Sequence, residues 1–111
     1  MLYDMSFLAN VQELTIDQDI TLVSGSKNIY RCTFDMSDEW TGFTPYAVFK
    51  NNTQPQVEVE LDANNQCIIP PGAVAEAGFC NIGLCGITET QRMPTNWIYA
   101  KVVEEGAVIT S

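Results

Sequence analysis

The sequence predicts an all-β fold, an antiparallel β-sandwich or barrel of about eight short strands. Three observations carry this. Short runs alternate apolar and polar residues with a period of two. Glycine, asparagine and proline turns separate these runs at short intervals. Long crossovers of the kind that join parallel strands are missing.

The first ten residues, "MLYDMSFLAN", carry Leu2, Tyr3, Met5, Phe7 and Leu8. They are expected as an N-terminal arm or edge strand, with residues 11–111 forming a single β-sandwich domain. "QELTI" alternates at Leu14 and Ile16, "DQD" turns, and "ITLV" is a second short strand. "SGSKN" is expected as a turn joining hairpin strands. In "IYRCTFDM", Tyr30, Cys32, Phe34 and Met36 share a face, and the first three are the expected inward set. "SDEWTGFTP" follows as a corner, with Trp40, Gly42 and Phe43 its structural residues. "YAVFK" starts the next strand and "NNTQPQ" is a polar loop. In "VEVEL", Val57, Val59 and Leu61 face inward while Glu58 and Glu60 face water. "DANNQ" is a hairpin-type turn into "CII". The proline pair of "PPGAVAEAG" starts one short helical turn near residues 71–77, ended by Gly78. "FCNIGLCGI" is a strand in which Gly83 and Gly86 mark a bulge or a close approach. "TETQRMPT" is a loop, "NWIYAKVV" a long strand, and "VIT" a final strand or ragged end.

At 111 residues the chain is one domain, long enough to bury a core. Hydrophobic residues make up 46% and charged ones 17%, a folded rather than disordered composition. A net charge of −9 disfavours nucleic acid and anionic membrane surfaces as partners. "MLYDMSFLANVQELT" lacks a basic n-region and is interrupted by Asp4 and Asn10, so it does not read as a signal peptide.

The candidate chemistry is sparse. There is no histidine, so Cys-His zinc sites and histidine bases are excluded. The thiols of Cys32, Cys67, Cys80 and Cys85 form no C-x-x-C pair. Cys80 and Cys85 sit on opposite faces of their strand. Buried thiols, one disulfide or a metal site are the alternatives. Glu58 and Glu60 are about 7 Å apart on one strand face, a spacing found in inverting glycosidases and in any solvated strand. Ser24 and Lys27 have Ser-x-x-Lys spacing, but in a turn. Asp17 and Asp19 lack the rest of a calcium loop. Asn51 to Thr53 spell a glycosylation sequon. No catalytic residue, metal or cofactor is expected. Trp40 and Trp97 read first as packing residues. An exposed Trp97 would mark an assembly interface.

The stretch "ITLVSGSKNIYRCTFDMSDEWTGFTPYAVFK" resembles the amino-terminal domain of phage baseplate upper proteins and related tail-fibre proteins of Firmicutes phages. The likeness continues in "VEVELDANNQCIIPPGAV", "AGFCNIGLCGI" and "TNWIYAKVVEEG", and covers roughly residues 16–106. It implies an immunoglobulin-like sandwich and a non-enzymatic module at the attachment end of a tail or baseplate protein. It also implies a virion location, reached by lysis without a signal peptide. Other tail proteins would be its partners, and rotational symmetry would favour homo-oligomers. Trp40 and Phe43 would lie at the corner after a core strand and Trp97 at the start of a late one. The expected contact residues are Leu2, Tyr3, Phe7, Leu8 and Trp97. The alternative is a carbohydrate- or surface-binding sandwich. It requires at least two aromatic rings exposed on one face.

Overall fold

The computed structural model of the chain describes residues 1–109. Ten strands form two packed sheets, with no α-helix among the described residues. The four-stranded sheet has the order β2-β1-β4-β7, built from β1 (Tyr3–Asn10), β2 (Glu13–Thr15), β4 (Tyr30–Met36) and β7 (Gln66–Ile68). The six-stranded sheet has the order β3-β10-β8-β5-β6, with β9 paired onto β8. Its strands are β3 (Thr21–Val23), β5 (Thr44–Asn51), β6 (Val57–Glu60), β8 (Gly78–Ile87), β9 (Arg92–Pro94) and β10 (Ile98–Val103).

The inward residues of the two sheets meet in one hydrophobic cluster. Met5, Phe7 and Ala9 from β1 and Tyr30, Cys32 and Phe34 from β4 pack against residues of β5, β8 and β10. The opposing set includes Phe49, Ile82, Leu84, Ala100 and Val102. The expected inward set on β4 is buried, as is Leu61, while Val57 and Val59 are half-buried against the core. Phe7 and Phe34 lie side by side on parallel neighbours and stack at 4.9 Å.

Several expectations are corrected. The sheets are mixed rather than purely antiparallel, because β1 runs parallel to β4 and β3 parallel to β10. These parallel pairs need no long helical crossover, since the intervening chain passes through the other sheet. Residues 3–10 are not a free arm; they form β1, an edge over Tyr3–Phe7 and covered by β2 only at Leu8–Asn10. β1 pairs with β2 on one side and β4 on the other, and its buried-exposed alternation at Met5, Phe7 and Ala9 shows why. A two-residue turn with Val11 at φ 54 closes the β1–β2 hairpin.

"SGSKN" and "DANNQ" are not hairpin turns, because the strands they join belong to different sheets. The second is held by Asp62, whose carboxylate accepts from the backbone N–H groups of Asn64 and Gln66 at 2.8 and 3.0 Å. The helical turn is shorter than expected, a 3-10 turn over Pro71–Val74. The backbone N–H of Glu76 is instead captured by the side chain of Asn51 at 2.9 Å. The loop "TETQRMPT" contains β9, which hairpins onto β8. No strand forms at Val108 and Ile109; Thr110, the last residue of the expected "VIT" strand, lies outside the described residues.

Candidate functional site

The corner residues do what their spacing suggested. A 3-10 turn over Asp38–Trp40 carries the chain from β4 in one sheet to β5 in the other. Trp40 is buried, and its indole N–H donates to the Val11 carbonyl at 2.8 Å. Phe43 meets it edge-on at 6.4 Å, and Gly42 supplies the positive φ of 90 that turns the chain between them. Both rings rest on Gly86. A Cβ there would lie 2.9 Å from Trp40 Cζ3 and 3.0 Å from Phe43 Cβ. Trp40 is therefore a packing residue of the corner, with Phe43 half-buried beside it at the edge of a surface depression.

The five expected contact residues do not gather. Phe7 is 2% exposed, so it belongs to the core and offers no surface contact. Leu2 and Tyr3 are exposed at the start of β1, where Tyr3 packs edge-on against Tyr30 at 6.0 Å. Leu8 is exposed on the outer face of the four-stranded sheet, opposite Asp35. That face also carries Ser6, Thr33, the half-buried Ile68, and Asp4 paired with Arg31. Arg31 Nη2 donates to Asp4 Oδ2 at 2.9 Å. The same hydrogen-bonded pairing lowers the Asp4 pKa and raises that of Arg31.

Trp97 lies on the other outer surface. Its indole covers Gly83, where a Cβ would come within 3.2 and 3.3 Å of Cε3 and Cζ3. Beside it runs a shallow groove lined by Val48, Gln56, Cys85, Pro94 and Thr95. Further along the same face, Asn52, Phe79, Asn81 and Tyr99 surround a second depression. Phe79 is 54% exposed and Tyr99 66%. Register explains their proximity. Tyr99 pairs with Asn81 and Lys101 with Phe79, so the two rings are diagonal neighbours, about 7–8 Å apart at Cα.

The charges on this face are unlike those of the whole chain. Cross-strand pairing places Lys50, Arg92 and Lys101 on it, three of the five basic residues in the sequence. Glu58 and Glu60 lie on the same side at the β6 edge. The outer face of the six-stranded sheet is thus aromatic and close to neutral on a protein of net charge −9. Sharing of a face by Trp97 and Tyr99 was visible in their spacing. Phe79 was not singled out, although its odd-numbered place on β8 beside Asn81, Gly83 and Cys85 was the available signal.

The remaining candidates stay apart. Ser24 is buried and its hydroxyl accepts from the Glu105 N–H at 3.1 Å, while Lys27 is exposed. Asn51 is 1% exposed. Its amide donates to the carbonyls of Glu76 and Phe79 at 3.0 and 2.9 Å, so the sequon asparagine is occupied structurally. Among the described residues the four cysteines are free thiols and no group of three or more acidic or thiol side chains could hold a metal. No helix of the described residues is long and apolar enough to cross a membrane. No family model matches the chain, and no curated protein matches it.

Proposed function

We propose that this chain is a non-enzymatic attachment module of a phage tail or baseplate, an immunoglobulin-like sandwich located in the virion. It would hold a neighbouring subunit or a receptor-binding part through the outer face of its six-stranded sheet. The observation that carries the choice of face is the contrast between the two outer surfaces. One carries scattered aliphatic residues, Leu8 and Ile68, among polar and charged ones and no exposed ring. The other concentrates Phe79, Tyr99, Trp97 and three of the five basic residues. Aromatic residues with few acids are what the centre of a specific protein contact uses. The resemblance over residues 16–106 supplies the tail and baseplate setting.

Homo-oligomerisation is the form tested first, because tail tips have rotational symmetry. Light scattering across a concentration series should show an assembly whose interface exceeds about 1,000 Å². Phe79→Ser and Tyr99→Ser should dissolve it without lowering the melting temperature of the monomer, since both rings are exposed in the single chain. A chain that stays monomeric at about 1 mM, well above the dissociation constants of specific contacts, removes self-assembly from the proposal. So does an assembly untouched by both substitutions.

A second reading, a carbohydrate-binding module, uses the same face. It is favoured by the position of Asn81, which lines the same depression as the exposed Phe79 and Tyr99 rings. Glycan-array binding lost in Trp97→Ala and Tyr99→Ala would support it. Trp40→Ala is no test of it, because that ring is buried.

A further inference from the structure

We propose that Cys32 and Cys67 form an oxidisable dithiol that closes into a cross-strand disulfide within the folded protein, tying edge strand β7 to β4. This inference is independent of the tail and baseplate reading. The two residues are direct partners in the antiparallel register, and both side chains are buried at the same sheet interface. Hydrogen bonds on either side locate them in the ladder. Phe34 N–H donates to Asn65 O at 3.0 Å, and Ile69 N–H to Tyr30 O at 2.9 Å. Cys32 and Cys67 lie two residues from each, at the same kind of hydrogen-bonded position. Such pairs have a Cα separation of about 5.5 Å. That falls within the range of about 4.4–6.8 Å that disulfides bridge, while the Cβ separation of such a pair, up to about 5.5 Å, exceeds the usual value of about 3.5–4.5 Å, so closure draws β7 inward toward β4.

The other two thiols are placed differently. Cys80 faces the interior from the opposing sheet and Cys85 points to the outer face of β8, at an uninterrupted stretch of strand. The pair is therefore selected by register, which composition and spacing could not show. The neighbouring Cys67 thiol, and then burial, hold Cys32 well above the ordinary thiol range.

Reaction accordingly proceeds through local opening of β7, a three-residue strand at the sheet edge. The Cys67 thiolate attacks one sulfur of a low-molecular-weight disulfide such as oxidised glutathione. That S–S bond breaks, a mixed disulfide forms, and one glutathione thiolate leaves. The Cys32 thiolate then attacks the Cys67 sulfur and expels the second glutathione. The two protein thiols lose two protons and two electrons, and oxidised glutathione becomes two reduced molecules.

The test is native oxidation of the full reduced chain in oxidised glutathione, followed by thiol alkylation after unfolding and peptide mapping. The expected product has lost two hydrogens, contains a Cys32–Cys67 cross-link, and carries alkylated Cys80 and Cys85. Closing a loop of this length should raise the melting temperature by about 10 °C. Cys80→Ala should retain both changes and Cys67→Ala should lose both. Absence of an intramolecular link under native conditions would overturn the proposal. So would a link through Cys80 or Cys85, or a Cys32–Cys67 link that lowers the melting temperature. The mapping of the unaltered chain decides the matter even where a variant does not fold.

Discussion

Replacing Gly86 with alanine tests the packed corner most directly. The added methyl would sit 2.9 Å from Trp40 Cζ3, 3.0 Å from Phe43 Cβ and 3.1 Å from Phe43 Cδ1. Three such approaches come from two rings in a closed corner, where Trp40 is also fixed by its hydrogen bond to Val11. Gly86 is not among the positive-φ residues, so the cost is steric. Overpacking of this kind costs about 1–3 kcal/mol. Removing glycine's unfolded-state freedom returns about 0.4–1 kcal/mol. A net destabilisation of about 1–2 kcal/mol follows. For a domain of this length it lowers the melting temperature by about 4–8 °C. Gly83→Ala is the internal control. It lies on the same strand but meets the half-exposed Trp97 ring at 3.2 and 3.3 Å and the Asn96 carbonyl at an ordinary 3.6 Å. A few tenths of an ångström of ring movement relieves these longer contacts without unseating the indole, so the loss should stay below about 1 kcal/mol. Thermal unfolding followed by circular dichroism and tryptophan fluorescence reads both. In a double-mutant cycle with Trp40→Phe, the Gly86 penalty should fall by at least about 0.5 kcal/mol. A neutral or stabilising Gly86→Ala, or strict additivity in that cycle, would refute the account of the corner.

Deleting residues 1–10 should abolish cooperative unfolding rather than trim an arm, because β1 supplies Met5, Phe7 and Ala9 to the core and pairs with β4 along its length; an unchanged melting temperature in the truncated chain would contradict this. Asn51→Leu should destabilise by about 3 kcal/mol or more in denaturant melts, since three backbone groups lose buried partners at once. Asp4 has a folded-state pKa below the ordinary 3.8, so its contribution is present above that value and is lost as pH falls through the folded value. Asp4→Asn should therefore lower the melting temperature slightly at pH 7 and converge with the parent as pH falls through the folded value, with a smaller difference in high salt. Identical pH profiles for the two chains would show that the exposed Asp4–Arg31 pair contributes nothing to acid stability.

Strand positions were legible wherever one face was buried. The alternation in Tyr30 to Met36 and Val57 to Leu61 fixed inward and outward residues without knowledge of any partner. Connectivity was less accessible. A turn such as "DANNQ" has the same chemistry whether the chain reverses within a sheet or crosses to the other, so its asparagines announced a turn but not its destination. β1 was only partly legible for a related reason. Its inward residues Met5, Phe7 and Ala9 alternate correctly, but exposed Leu2, Tyr3 and Leu8 blur the pattern until the β4 partnership is known. The Cys32–Cys67 pairing was hidden for the same cause, since thirty-odd residues and two changes of sheet separate the two thiols.

Gly83 and Gly86 show how one sequence device serves both sides of a sheet. They are three apart on β8, so their missing side chains open gaps on opposite faces. The inward gap receives Trp40 and Phe43 and closes the corner between the sheets. The outward gap receives Trp97 and fixes an indole against the surface beside Cys85 and Val48. A ring seated in this way loses little freedom when a partner arrives, which favours tight contact at small entropic cost. The glycine that packs Trp97 therefore does more than relieve crowding. It makes the outer face partly preorganised, and it gives the proposed contact surface a fixed point from which Tyr99 and Phe79 extend.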